Sequence, residues 1–345
     1  MPNWEISEIE SLKGFTVEWD TSEYLIIARR NILYEVNRNN LKIKNKIGSF
    51  PLPLWKRILI RSVLMQRFFR GFFYNVIVLR NKDIFVTFGK SIGLIKPNGE
   101  FKKLSGIKKP FRVLRNSIAE DEHGNIYFGE YSSNKNRKTV SIYKYSPGKE
   151  SIETRYTFNN NQIRHIHGIY YDKYSNSLWC LTGDVKDECK IIQTFDGFET
   201  MKVIGSGDET WRAVSILFAK DAIYYAMDAE FQKNKIFMIN RSNFNRLELT
   251  EIDGPVYYSI KKGDDLFFQV TAELCPSQTD KNASLWKISN NVAKKIWTKQ
   301  VDPYPQILMP GTINFSNGVG EDDESFFHCI GLLDCTSKTF KMKRI

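Results

Sequence analysis

His167-Gly-Ile-Tyr-Tyr-Asp172, a Lys-Tyr-Ser-Asn-Ser turn, Leu178-Trp-Cys-Leu-Thr-Gly-Asp184, Lys190-Ile-Ile-Gln-Thr194 and Met201-Lys-Val-Ile204 follow one another in the middle of the chain. Each run is short and rich in aromatic and β-branched residues, which suit a pleated, half-buried surface. The same layout precedes it as Arg115-Asn-Ser-Ile-Ala-Glu-Asp121, a His-Gly-Asn turn, Ile126-Tyr-Phe-Gly-Glu-Tyr131, Val140-Ser-Ile-Tyr-Lys-Tyr145 and Thr154-Arg-Tyr-Thr-Phe158. It follows as Ala213-Val-Ser-Ile-Leu-Phe218, Ile223-Tyr-Tyr-Ala-Met-Asp228, Lys235-Ile-Phe-Met-Ile239 and Arg246-Leu-Glu-Leu249. Four short strands repeating in about 45 residues are the signature of a propeller blade.

Further units read at 256–298, with Leu266-Phe-Phe-Gln-Val270, and at 74–105, with Ile84-Phe-Val-Thr-Phe88; shorter ones sit at 15–47 and 310–345. The expectation is an all-β fold, a single β-propeller domain over 1–345, with seven blades of four-stranded antiparallel sheet. Six blades are the alternative, with the two end units completing one shared blade. One segment breaks the strand period. Residues 52–74 read as a basic amphipathic helical insertion between the first two blades. On a helical wheel Lys56, Arg57, Arg61, Arg67 and Arg70 share one half, and Ile58, Met65, Phe69, Phe72 and Phe73 the other, with Ile60, Leu64 and Phe68 spilling onto the basic side.

Composition bounds the partners. The 345 residues are 42% hydrophobic, enough for a sizeable core, and the net charge of +11 favours an anionic partner. The basic residues are dispersed outside 52–74 and no nucleic-acid-binding motif appears, so nucleic acid is not expected. Cys180, Cys189, Cys275, Cys329 and Cys335 are odd in number and lack metal-ligand spacing. They read as reduced thiols of a cytoplasmic protein. Met1-Pro2-Asn3-Trp4-Glu5 lacks the pattern of a secretory signal, and no apolar run is long enough to span a membrane. The sequence offers no phosphate loop, nucleotide fingerprint or serine elbow, and no cofactor is expected.

In a propeller blade the start of the innermost strand and the end of the second strand lie on one face. Arg115, then Arg164-His165-Ile166-His167, then Trp211-Arg212 occupy the first position; Glu130-Tyr131, Asp184, Asp228 and Glu273 occupy the second. The expectation is a polar pocket at the mouth of the channel. Glu130, Asp184, Asp228 and His167 are the catalytic candidates, suited to general acid–base work. Arg115, Tyr131, Arg164, His165, Trp211, Arg212 and Glu273 are the substrate-binding candidates, the arginines holding an anion through their planar fork. A hydrated structural channel, with Arg212 as a link between blades, is the plainer reading of the same residues. His165 and His167 are placed on opposite faces of their strand, with His167 toward the channel beside Gly168. With no third ligand at a telling spacing, no metal site is expected.

Thr194-Phe-Asp196-Gly-Phe198-Glu-Thr200-Met201 resembles the S-x-D-x-G-x-T-W hairpin, the Asp-box, of sialidase-like BNR-repeat propellers, with Phe198 in place of the glycine and Met201 in place of the tryptophan. In those proteins the box is a structural turn away from the active site, so Asp196 is expected in a turn. The resemblance also implies an arginine set, here Arg115, Arg164 and Arg212, facing Glu130 and Asp184. Phe128-Gly-Glu-Tyr131, Arg164-His-Ile-His-Gly168, Thr182-Gly-Asp184 and Trp211-Arg-Ala-Val214 resemble uncharacterised bacterial propeller proteins associated with surface-polysaccharide gene clusters. That likeness implies a carbohydrate context.

The leading expectation is therefore a carbohydrate-active enzyme, a glycoside hydrolase or polysaccharide lyase acting on an acidic sugar or surface-polysaccharide intermediate. The alternative is a non-catalytic glycan-binding or scaffolding propeller of polysaccharide biosynthesis. The insertion at 53–74 is read either as a contact to an anionic membrane, placing the protein at the inner membrane surface, or as a segment packing its Phe face on the propeller.

Overall fold

A computed structural model describes residues 3–273, 275–305, 308 and 310–345, so Met1 and Pro2 of the N-terminal stretch lie outside the described residues. Six sheets have four strands and one has five, the fifth being the two-residue strand Asn317–Gly318 beside Thr16–Asp20. The chain is a seven-bladed β-propeller of antiparallel four-stranded sheets. The basis of the six-blade alternative is nonetheless visible. Trp4–Glu8 pairs with Thr339–Arg344, so the last sheet is completed by the first strand of the chain.

The contacts divide the chain into two compact units, residues 105–298 and residues 1–104 with 299–345. In 105–298, four consecutive sheets run from Ala119, His165, Ala213 and Val256 outward. Second strands such as Ser177–Gly183 and Asp265–Val270 are buried on both faces, while fourth strands such as Lys202–Ser206 and Arg246–Ile252 are mostly exposed or half-buried. Strands buried on both faces read as continuous apolar runs, which is why the repeat was visible without strict alternation. Apolar clusters fill the space between neighbouring sheets. Tyr127, Ile142 and Phe158 pack on Ile169, Cys180 and Phe198, and Trp179 and Leu181 pack on Ile216, Tyr225 and Phe237. Trp179 has no exposed surface. Truncating such a side chain costs about 3–5 kcal/mol. A partly buried ion pair also crosses between two sheets, with Arg241 holding both oxygens of buried Asp172 at 2.5 and 2.9 Å.

The inner strands share a local irregularity. Pairing to the second strand shifts by a bulge near the start of each of five: between Val17 and Trp19, Phe73 and Asn75, Ile166 and Gly168, Ala213 and Ile216, and Val256 and Tyr258. A bulge leaves a residue unpaired and re-aims its side chain.

In the unit of 1–104 and 299–345, the stretch at 52–74 departs from one amphipathic helix. It forms two short helices, Leu54–Leu59 and Val63–Phe68, and Phe73 already begins the strand Phe73–Val78. The wheel also fails at particular residues. Ile60, between the helices, is buried, and so is Arg67, because Asp302 receives it at 2.5 Å. Leu54, Trp55, Ile58 and Phe68 are exposed. Six-residue helices are too short to carry a continuous stripe. Among the described residues no helix is long and apolar enough to cross a membrane.

Candidate functional site

In the unit 105–298 two hairpins of first and second strand close in the same way. His165 pairs with Gly183 and Ala213 with Met227, so the residues just outside these pairs face one another. Those residues are Arg164 with Asp184 and Arg212 with Asp228, and both make ion pairs, at 2.5 and 3.1 Å. Arg212 also reaches Glu230 at 3.2 Å and, across to the neighbouring sheet, Asp184 at 3.5 Å. Asp184 thus gathers two guanidiniums from two sheets.

It gathers two imidazoles as well. His165 Nε2 and His167 Nε2 lie 3.1 and 3.2 Å from Asp184 Oδ1, and 3.1 Å from each other. The expectation that the two histidines face opposite ways is corrected. Residues two apart on a strand share a face, and the bulge at His167 then brings its ring toward that of His165. The ring of His167 packs on Gly183, where an added Cβ would meet Cε1 at 2.5 Å. The reasoning against a metal site is corrected by the same geometry. His165, His167 and Asp184 present three donor atoms within 4.8 Å of one another, the third ligand coming from the partner strand of the hairpin.

Around this buried core stand partly exposed groups: Arg164, Tyr131, Glu230, Tyr257 and Glu273. The Tyr131 ring packs on the His165 ring with centroids 4.3 Å apart, and its backbone is fixed by paired hydrogen bonds with Arg112. Tyr257 sits at the bulge of its strand and donates to Glu273 Oε2 at 2.8 Å. Burial pushes the Asp228 carboxyl well above its usual range against the pull of Arg212, with Glu273 and Asp184 adding to the rise. Burial raises Glu273 too, opposed by the Tyr257 hydrogen bond. Burial lowers His167 and raises the phenols of Tyr131 and Tyr257.

Two sequence candidates, Glu130 and Trp211, lie elsewhere. Glu130 points away from Tyr131, as adjacent strand residues must, and is held by the Tyr143 hydroxyl at 2.8 Å and Lys109 at 2.7 Å. Trp211 stacks on Tyr225 and lies under Arg246, whose guanidinium carbon is 3.9 Å from the ring centroid. Arg115 is buried in the segment leading into strand Ala119–Glu120. Sequence reasoning missed Glu230 and Tyr257. Glu230 stands two residues beyond Asp228, so alternation was a usable signal; Tyr257 depends on a bulge that no spacing announces.

At the other ends of the same sheets, the Asp-box hairpin has its expected turn. Asp196 accepts from the amides of Glu199 and Thr200 and from the hydroxyls of Thr194 and Thr200. Beside it lies a polar cavity of about 270 Å³ lined by Asp121, Tyr127, Arg155, Tyr171 and Asp196.

No family model matches the chain, and no curated protein matches it. Solved structures do share the fold. Virginiamycin B lyase from Staphylococcus aureus is 16% identical with a TM-score of 0.62, over 99% of this chain and 100% of that one. An oligogalacturonate lyase in complex with manganese is 8% identical with a TM-score of 0.57, over 100% and 97%. A prolyl endopeptidase matches 97% of this chain with 51% of its own length, at 11% identity and a TM-score of 0.56. These likenesses reach the propeller fold. They do not single out the sialidase-like group, whose resemblance rests on the Asp-box hairpin.

Proposed function

We propose that the protein is a carbohydrate-active lyase that cleaves an anionic, uronate-containing glycan at the Asp184 cluster. The observation that carries this reading is one buried carboxylate holding two imidazoles and two guanidiniums, ringed by partly exposed Tyr131, Glu230 and Glu273. Stability does not account for such a set, because buried ion pairs gain little over apolar packing. Perturbed ionisable groups gather instead where chemistry is done.

Eliminative cleavage needs an anion holder, a base and an acid. Arg164, partly exposed, offers its planar fork to the sugar carboxylate. Glu273, raised above its usual range by burial, is suited to take the proton α to that carboxylate. The Tyr131 phenol is suited to protonate the departing oxygen. One C–H and one C–O bond break, one C=C bond forms, the base gains a proton and the leaving oxygen receives one.

The test is incubation with a panel of polyuronates and sulfated uronate glycans, reading ultraviolet absorbance of an unsaturated product beside new reducing ends. Both signals together are expected, reduced roughly 100-fold or more in Glu273→Gln and Tyr131→Phe. Reducing ends without absorbance mean hydrolysis and overturn the lyase reading. Glycan binding without either signal makes the protein a non-catalytic binder, and neither product nor binding ends the carbohydrate reading.

A further inference from the structure

We propose that His165 Nε2, His167 Nε2 and Asp184 Oδ1 form a site for one divalent first-row transition-metal ion. The starting point is hydrogen-bond accounting. His165 Nδ1 lies 2.7 Å from the carbonyl of Ser132, and His167 Nδ1 lies 2.8 Å from the carbonyl of Ala213. A carbonyl only accepts, so each Nδ1 carries its hydrogen and each neutral ring turns a bare lone pair outward at Nε2. Those lone pairs and a carboxylate oxygen form a triangle with sides of 3.1, 3.1 and 3.2 Å. Three acceptors at that separation repel unless something positive lies among them.

The dimensions fit an ion. Nitrogen and oxygen ligands about 2.0–2.1 Å from a metal stand roughly 3.0 Å apart at right angles and roughly 3.4 Å apart in a tetrahedron. The three sides fall within that span. Metal-binding histidines hold their second nitrogen on a carbonyl or carboxylate, which fixes tautomer and ring orientation; both histidines here do so. Two further observations point the same way. Four carboxyl groups of the cluster, Asp184, Asp228, Glu230 and Glu273, stand with two guanidiniums, Arg164 and Arg212. Asp228 Oδ1 is also buried without a hydrogen-bond partner.

Two imidazoles and one carboxylate favour zinc, manganese, iron, cobalt or nickel over calcium or magnesium. Three protein ligands leave coordination positions open, the arrangement of catalytic rather than structural metal sites. The open side would take an anionic oxygen ligand such as a sugar carboxylate. The metal assignment stands on donor geometry and does not depend on the lyase reading, so either can fail alone.

The test uses the full-length untagged protein, stripped with a chelator, dialysed and titrated with Co²⁺ while visible d–d absorption is read. Zn²⁺ and Mn²⁺ competition and elemental analysis follow. One equivalent of Co²⁺ is expected, displaced by Zn²⁺. Asp184→Asn, which keeps side-chain shape, and His165→Gln should each weaken binding at least tenfold, with unchanged circular dichroism confirming the fold. The wild-type protein should gain thermal stability on adding Zn²⁺. Absence of stoichiometric binding by the folded wild-type protein overturns the proposal and assigns the triangle to a shared proton on an imidazolium. Undiminished binding in both folded variants overturns it as well.

Discussion

Gly183→Ala tests the site geometry without any substrate. An alanine Cβ at this position would meet His167 Cε1 at 2.5 Å and Nε2 at 2.9 Å. To restore van der Waals contact the ring must retreat by about 1 Å. A movement of that size is enough to break the 2.8 Å hydrogen bond to the Ala213 carbonyl. Losing it costs about 0.5–1.5 kcal/mol, and overpacking a filled site costs about 1–3 kcal/mol more. The expected destabilisation is about 1.5–4.5 kcal/mol. A double-mutant cycle with His167→Ala separates the ring clash from any other effect of a methyl group at residue 183. With the imidazole gone, most of the Gly183→Ala cost should vanish, giving a coupling energy of about 2 kcal/mol. The assay is equilibrium urea unfolding of the metal-stripped protein, followed by intrinsic fluorescence, for all four proteins. Additive costs, within about 0.5 kcal/mol, would refute the packing of His167 on Gly183. So would a Gly183→Ala protein as stable as the parent.

Two further outcomes follow from other parts of the chain. Hydrogen bonds from Thr200, as side chain and as backbone, hold the Asp196 carboxyl at about 2, below its ordinary 3.8. A depressed native pKa contributes stability that is present above the unfolded value and lost as pH falls through the folded one. Asp196→Asn should therefore remove part of the stability difference measured between pH 4 and pH 2, read by thermal unfolding, and an unchanged acid limb would contradict the assignment. The exposed Leu54, Trp55, Ile58 and Phe68 beside Arg57 and Arg61 are expected to carry the protein to anionic vesicles in a salt-sensitive manner. Trp55→Ala with Arg57→Glu should abolish co-sedimentation, and equal binding to neutral vesicles would reject the basic surface as its cause.

The sheets were legible because second strands such as Leu178–Thr182 are packed on both faces and so read as apolar blocks between turn residues. The polar positions were legible because a blade repeat marks equivalent points, which brought Arg164, Asp184, Arg212 and Asp228 forward together. What the repeat could not supply was side-chain direction. Glu130 and Tyr131 are consecutive, so only one of them can face the histidines, and Tyr131 is the one that does. His167 and Tyr257 sit at bulges, which depend on the pairing of two strands and leave no mark in one of them. The segment 52–74 misled for a different reason. A period of 3.6 describes a helix face only while the helix continues, and the chain turns at 60–62.

Within the proposed carbohydrate reading, the contacts of Asp184 favour elimination over hydrolysis. A glycosidase needs one carboxyl to donate a proton and a second to act as base or nucleophile, on opposite sides of the sugar bond. Asp184 is closed to both roles, since Arg164 and Arg212 already pair with its oxygens. Asp228 is buried behind Arg212, its Oδ2 already engaged. That leaves Glu230 and Glu273 with exposed surface. Glu230 is tied to Arg212, and Glu273 to the Tyr257 hydroxyl. Elimination asks less of carboxylates, requiring one base, one acid and a strong positive field where the substrate carboxylate sits. A cation held by His165, His167 and Asp184, with Arg164 at its side, would supply that field, and only Glu273 would then need to move a proton from carbon.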